Sequence, residues 1–111
     1  MILVAGNINY DILFPLDRLP GTHEKMTCEG AAIGYGGSAA NTAHWLAKLG
    51  VQVVLAGAVG NDALGKAHLE ALHGAGVMTR GVQIVDSASG LAVIFSLGMP
   101  SNAIFFRISS V

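Results

Sequence analysis

Charge is what this sequence has least of. Aspartate, glutamate, lysine and arginine make up 12% of its 111 residues, about half the share of an ordinary soluble domain. Six basic against seven acidic side chains leave a net charge of -1, so no basic surplus invites nucleic acid or an anionic membrane surface. Cys28 is the lone cysteine; it has no partner for an internal disulfide, and the cytoplasm is the expected compartment. No Asn-x-Ser/Thr sequon occurs, and the N-terminus lacks the basic stretch and small-residue cleavage site of a secretory signal. No apolar run approaches the ~18 residues that a membrane span needs. The longest, around Val51–Gly60, is broken by Gln52 and ends at Asn61 and Asp62.

Apolar side chains are what the sequence has in excess: 52% of residues, with a mean hydropathy of +0.58. That composition excludes intrinsic disorder. A domain of this length buries only about two-thirds of its unfolded surface. With so few charges to cover the rest, part of the apolar surface is expected to meet something outside the chain. Ala103–Ile108 reads as a strand three residues before the sequence stops, and a piece of a larger domain is the expectation.

Periodicity predicts an α/β order. Ile2–Ala5 is a short apolar run of the buried parallel type, ending at Gly6. Asp11–Leu16 is extended and stopped by Pro15, and Met26–Ile33 alternates weakly, as a half-exposed strand does. The glycine cluster Gly34, Gly36, Gly37 leads to Ser38, an expected N-cap for a helix over Ala39–Leu49 closed by Gly50. Val51–Ala58 is a β-branched strand. Asn61 or Asp62 is expected to cap a second helix, Ala63–His73, with Leu64, Ala67, Ala71 and Leu72 inward. Val82–Val85, Leu91–Leu97 and Ala103–Ile108 complete the strands, the last two parted by a turn at Gly98, Met99 and Pro100.

Several chemistries fail on inspection. Gly60–Ala67 nearly matches a P-loop, but Ala67 replaces the magnesium-binding hydroxyl and Asp62 puts a carboxylate where phosphate belongs. A strand-to-helix turn with an Asp cap explains it better. Gly34, Gly36 and Ala39 imitate a dinucleotide fingerprint, yet no clean buried strand precedes them and no acid lies ~20 residues on. His23, His44, His68 and His73 make no i,i+3 or i,i+4 pair, so no metal set is legible. His68 reads as a part-buried core histidine. No Gly-x-Ser-x-Gly elbow announces a nucleophile.

Gly6–Asp11 is more telling. It follows the carboxyl end of the first strand, where open α/β sheets bind ligands. Asn7, Asn9 and Asp11 within six residues are costly in so apolar a chain unless something pairs with them. An ionised Asp accepts from two hydroxyls, and Asn donates and accepts, the chemistry of a polyol pocket. Asx turns leaving a strand are the other reading of the same residues.

These segments carry a resemblance. Gly6–Asp11, Pro20-Gly21 with Glu24, Gly36–Ala43, the Leu49-Gly50 helix end and Val59–Gly65 resemble the N-terminal part of the PfkB/ribokinase-type carbohydrate kinases. The resemblance implies the N-terminal part of a Rossmann-like αβα fold with a small β-sheet lid, its strands near 11–16, 26–33 and 91–107. It implies an ATP- and Mg2+-dependent transfer of the γ-phosphoryl group to a sugar hydroxyl. Asn9, Asp11, Gly36, Gly37, Ser38 and Asn41 would bind the substrate, and a homodimer would form through the lid. Ribokinases carry Lys where Ser38 stands, which leaves the sugar open. The family's Gly-Ala-Gly-Asp signature, with the catalytic base and anion hole, is not among these 111 residues and is expected beyond Val111. A nucleoside kinase is the alternative, with Phe14, Tyr35 and Phe95 as candidates to stack on a base. A non-catalytic sugar-binding fragment is a further one.

Overall fold

The computed structural model describes residues 1–98 and 103–108. Seven strands and two helices follow in the order β1 (Ile2–Ala5), β2 (Asn9–Pro15), β3 (Ala32–Gly36), α1 (Ser38–Lys48), β4 (Val53–Gly60), α2 (Ala63–Gly74), β5 (Met78–Val85), β6 (Gly90–Ser96) and β7 (Ala103–Ile108). They form two sheets. The first, β1-β4-β5, is wholly parallel. The second, β3-β2-β6-β7, is mixed: β2 runs antiparallel to β3 and parallel to β6, and β7 returns antiparallel to β6. The radius of gyration, 15.7 Å, exceeds the about 13 Å of a compact chain this long, because the second sheet extends the molecule instead of stacking on the first.

The core sits where both helices meet the first sheet. β-Branched Val53 and Val59, with Leu55 between, bury themselves on β4 against Ala39, Ala40 and Ala43 of α1 and Leu72 of α2. Small residues on α1 let its backbone lie close to the sheet. Leu46, Ala47, Leu69 and Val82 close the rim. Both helices end on glycine, Gly50 at φ +84° and Gly76 at φ +97°, a conformation that an L side chain resists. Leu3, Trp45 and Leu49 stay exposed on this body.

β1, expected to be buried, is an edge strand with Ile2, Leu3 and Ala5 exposed, and the structure corrects further expectations. Residues 26–31 form no strand; the strand expected at 26–33 is β3, Ala32–Gly36, and it takes in Gly34 and Gly36 of the cluster expected to lead into the first helix. Pairing with β2 decides this, since Asn9 faces Gly36 and Leu13 faces Ala32. Residues 16–31 are instead an excursion clamped by the bidentate Arg18–Glu24 pair (2.6 and 2.7 Å) and by the Cys28 thiol donating to the Pro15 carbonyl at 3.3 Å. The Arg18 guanidinium, helped by the Gly21 N–H, holds the Glu24 carboxyl down at about 2. Second, β2 starts at Asn9, two residues earlier than expected, and includes Pro15. Proline is tolerated because pairing with β3 has already ended at Leu13. Third, Gly37 and not Ser38 is the N-cap of α1, with no side-chain cap. Fourth, β5 begins at Met78 instead of Val82, directly behind the α2 cap.

The cap of α2 is Asp62, as the sequence suggests. Of its four expected inward residues only Leu72 is fully buried; Gly65 and His68 are the others that are. The turn expected at 98–100 falls largely on residues outside those described.

Candidate functional site

Asn9 and Asp11 lie on β2, two residues apart, and so project from one face of the second sheet. An Asx-turn role is thereby removed, because both residues are paired in the ladder. Gly36 stands opposite Asn9. A Cβ built on Gly36 would overlap the Asp11 carboxylate, so only glycine lets the acid lie there. Gly37, at φ +99°, turns the chain from β3 into α1; a side chain there would overlap the Asn7 carbonyl. That carbonyl accepts from the Ala40 N–H at 3.3 Å, which ties the loop after β1 to the first turn of α1.

Two polar groups at this place have no protein partner among the described residues. The Asn9 side chain is 8% exposed, and its Oδ1 is buried without a hydrogen bond. Such an orphan costs about 1–3 kcal/mol of lost hydration. The Asp11 carboxylate is half-buried, and burial raises its pKa above the ordinary 3.8. Neither condition favours the fold; both suit groups that a polyhydroxy ligand would satisfy.

Ser38 and Asn41 follow on the first turn of α1, three residues apart on one helix face and both exposed. The Ser38 carbonyl accepts from the Thr42 hydroxyl at 2.8 Å. The structure thus gathers Asn9, Asp11, Gly36 and Gly37 tightly. It sets Ser38 and Asn41 beside them on the uncapped helix end, without a direct bond to Asn9 or Asp11 among the described residues.

Asn7 opens a cleft of about 430 Å3 just past the carboxyl end of β1 and beside the middle of β4, floored by Gly6, Ile8 and Gly57. Arg107 of β7 leans over it, donating from Nη2 to the Asn7 Oδ1 at 3.1 Å. A larger hollow of about 610 Å3, beside Pro15, Met26 and Ser96, contains none of the orphaned groups; unsatisfied polar atoms are the better guide to a site than volume.

Sequence reasoning missed Gly90 and Arg107. Gly90 faces Asn9 on β6, and a Cβ there would stand 2.6 Å from the Asn9 Oδ1. Locally it reads only as a turn glycine. Phe14, Tyr35 and Phe95, the candidates for stacking on a base, belong to the opposite face of the sheet from Asp11. Phe14 stacks on Phe95 (centroids 5.9 Å), and Tyr35 lies between Tyr10 (5.3 Å) and His68 (4.8 Å). Alternation along β2 enforces this.

No three His, Cys, Asp or Glu side chains converge to hold a metal ion among the described residues. No helix among them is long and apolar enough to cross a membrane.

Comparison with known proteins places the chain in a family. The family model for pfkB family carbohydrate kinases matches residues 1–107. An ATP-dependent ribose-1-phosphate kinase of Halopiger xanaduensis is 40% identical over 86 residues, 78% of this chain and 29% of that protein. The Mus musculus ribokinase is 33% identical over 94 residues, covering 84% and 29%. Among solved structures, Cryptococcus neoformans ribokinase with ADP superposes with a TM-score of 0.82 at 36% identity, over 96% of this chain and 33% of that one. Arabidopsis thaliana ribokinase with ribose and ATP gives 0.82 at 30%, over 96% and 35%. The chain spans about a third of the length of these relatives, and its fold is the N-terminal third of theirs. A match over nearly all of its residues makes this chain a member of the pfkB family of carbohydrate kinases.

Proposed function

We propose that the full-length protein is an ATP-dependent kinase that moves the γ-phosphoryl group to a hydroxyl of a pentose-like sugar, and that this chain supplies the sugar-binding face. The observation that carries the reading is the nearness of the Asp11 carboxylate and the buried Asn9 Oδ1, neither of which has a hydrogen-bond partner among the described residues. Asp11 accepts from two sugar hydroxyls, and Asn9 accepts from a third. The uncapped N-terminus of α1 at Gly37 and Ser38 offers backbone donors to a sugar oxygen, with Asn41 one turn on. Held this way, the reacting hydroxyl is oriented before transfer, and orientation is much of what such reactions need.

The second sheet serves as a lid over the sugar, and exposed Phe105, Phe106 and Ile108 on β7 suit a homodimer through it. The catalytic base, the anion hole and the contacts to ATP and Mg2+ belong to the chain beyond Val111, and the cytoplasm is its compartment.

A sugar that already carries a phosphate is the second reading. Arg107 brings a guanidinium to the cleft beside Asn7, and the 40% identical relative is named a ribose-1-phosphate kinase. The test is phosphorylation by the full-length protein of ribose and of ribose 1-phosphate, each with wild type and Arg107→Gln. The first reading expects ribose to be used with little effect of the variant. The second expects ribose 1-phosphate to be preferred and its KM to rise about tenfold in Arg107→Gln. Turnover of neither sugar with ATP overturns both.

A further inference from the structure

The Gly60–Gly65 turn, which resembles a P-loop without being one, has no part in the sugar site as described. Its carboxylate nevertheless accepts three hydrogen bonds, two of them from a residue far off in the chain. Asp62 Oδ1 accepts from the Gly65 N–H at 2.8 Å, which caps α2, and from the Ser89 hydroxyl at 2.7 Å. Its Oδ2 accepts from the Ser89 N–H at 2.8 Å. The Ser89 Oγ in turn accepts from the Gly60 N–H at 2.9 Å. These donors, the Ser89 N–H foremost, keep the Asp62 carboxyl below its ordinary pKa of 3.8.

The two glycines of the turn serve the same contact. A Cβ on Gly60 would overlap the Ser87 carbonyl and the Ser89 nitrogen, and one on Gly65 would stand 2.8 Å from the Ser89 Oγ. The turn between β4 and α2 is therefore shaped to receive residues 87–89. Those residues are the last before β6, and the next one, Gly90, is the strand's first residue and the partner of Asn9. A cap alone needs a single acceptor on the Gly65 N–H; the remaining bonds all reach Ser89.

We infer that Asp62, acting through Ser89, is a positioning residue that sets where β6 leaves the body and so holds Gly90 against the Asn9 side chain. Asp62 touches no substrate. It fixes the root of the second sheet beside the sugar site, and the rest of that sheet is joined to the body by the Asn7–Arg107 and Tyr35–His68 contacts. The inference rests on the sugar-kinase reading only for its kinetic consequence.

The experiment uses the full-length protein with Asp62→Ser, Ser89→Ala and Ser89→Thr. Serine at 62 still caps α2 but is too short to reach Ser89, so it separates the two roles. Expected for Asp62→Ser and Ser89→Ala is a sugar KM raised about tenfold or more, with the KM for ATP within about twofold and the melting temperature of Asp62→Ser near wild type. Ser89→Thr, which keeps the hydroxyl, restores the sugar KM. Hydrogen exchange gives a second readout independent of turnover: amides at Leu91–Val93 exchange faster in Asp62→Ser, while those of α1 do not change. If the sugar KM holds while melting falls, or if exchange at Leu91–Val93 is unaltered, Asp62 is only a helix cap and the inference is overturned. Absence of sugar turnover in the wild type defeats the kinase reading instead, and the exchange measurement still decides the tie.

Discussion

The carboxylate of Asp11 lies directly over the Cα of Gly36, in the space where any other residue would carry its Cβ. Gly34, opposite Asp11 in the ladder, has open space at the same point. Two glycines on one strand, two residues apart, thus carry different burdens. Gly36→Ala is expected to displace Asp11 and lower kcat/KM for the sugar by about a hundredfold, in keeping with loss of a charge-assisted bond or two. Gly34→Ala should change it less than about twofold. Steady-state kinetics on the two variants of the full-length protein check this, and equal effects would remove Gly36 from the site.

Asp11→Asn separates binding from folding. Burial raises the Asp11 pKa, so its ionised form is less welcome in the folded chain than in the unfolded one. Above both pKa values the charge opposes folding, and the amide relieves that cost. The melting temperature at pH 7 should hold or rise slightly, while kcat/KM for the sugar falls about a hundredfold because one acceptor has become a donor. A lower melting temperature with unchanged kinetics would make Asp11 a structural residue only.

His68 predicts an acid limb. Burial against Tyr35 lowers its pKa from 6.5 to about 4, so folding favours the neutral ring. The unfolded chain takes up the proton near pH 6.5 and the folded chain only near 4. The stabilisation is complete above pH 6.5 and declines as pH falls toward 4, by up to about 3 kcal/mol. His68→Phe keeps a ring on Tyr35 without titrating, and its stability should vary less with pH. Urea midpoints between pH 7.5 and 4.5 measure both slopes; parallel slopes would contradict the assignment.

The 111-residue chain expressed alone should transfer no phosphate from ATP to ribose. A base and an anion hole each contribute about a hundredfold or more in such transfers, and the resemblance sets both beyond Val111. A coupled assay that detects ADP release dependent on ribose would show the chemistry to lie within these residues.

Much of the body was legible in the sequence because its signals are local. Asp62 three residues before Gly65, the glycine at 50, and the β-branched run at Val51–Ala58 each act within one turn or one strand. Caps, αL glycines and strand propensity need no distant partner to take effect. Asn9 and Asp11 also stood out in the sequence as polar groups that are costly in so apolar a chain, while their place in the ladder, which removes the Asx-turn alternative, came only from strand pairing.

What only the tertiary structure decided is how those residues are held. Residues 26–31 carry weak alternation but no partner strand, whereas Ala32–Gly36, rich in glycine, becomes β3 because β2 lies beside it. Asn9 is flanked by Gly36 on one side and by Gly90 on the other, and nothing near Asn9 in sequence announces either neighbour. Asp62 looks like a cap until Ser89, twenty-seven residues on, is brought to it. Sequence patterns report what a segment prefers within its own few residues; register, close approach and orphaned atoms are properties of pairs far apart in the chain, and only packing brings such pairs together.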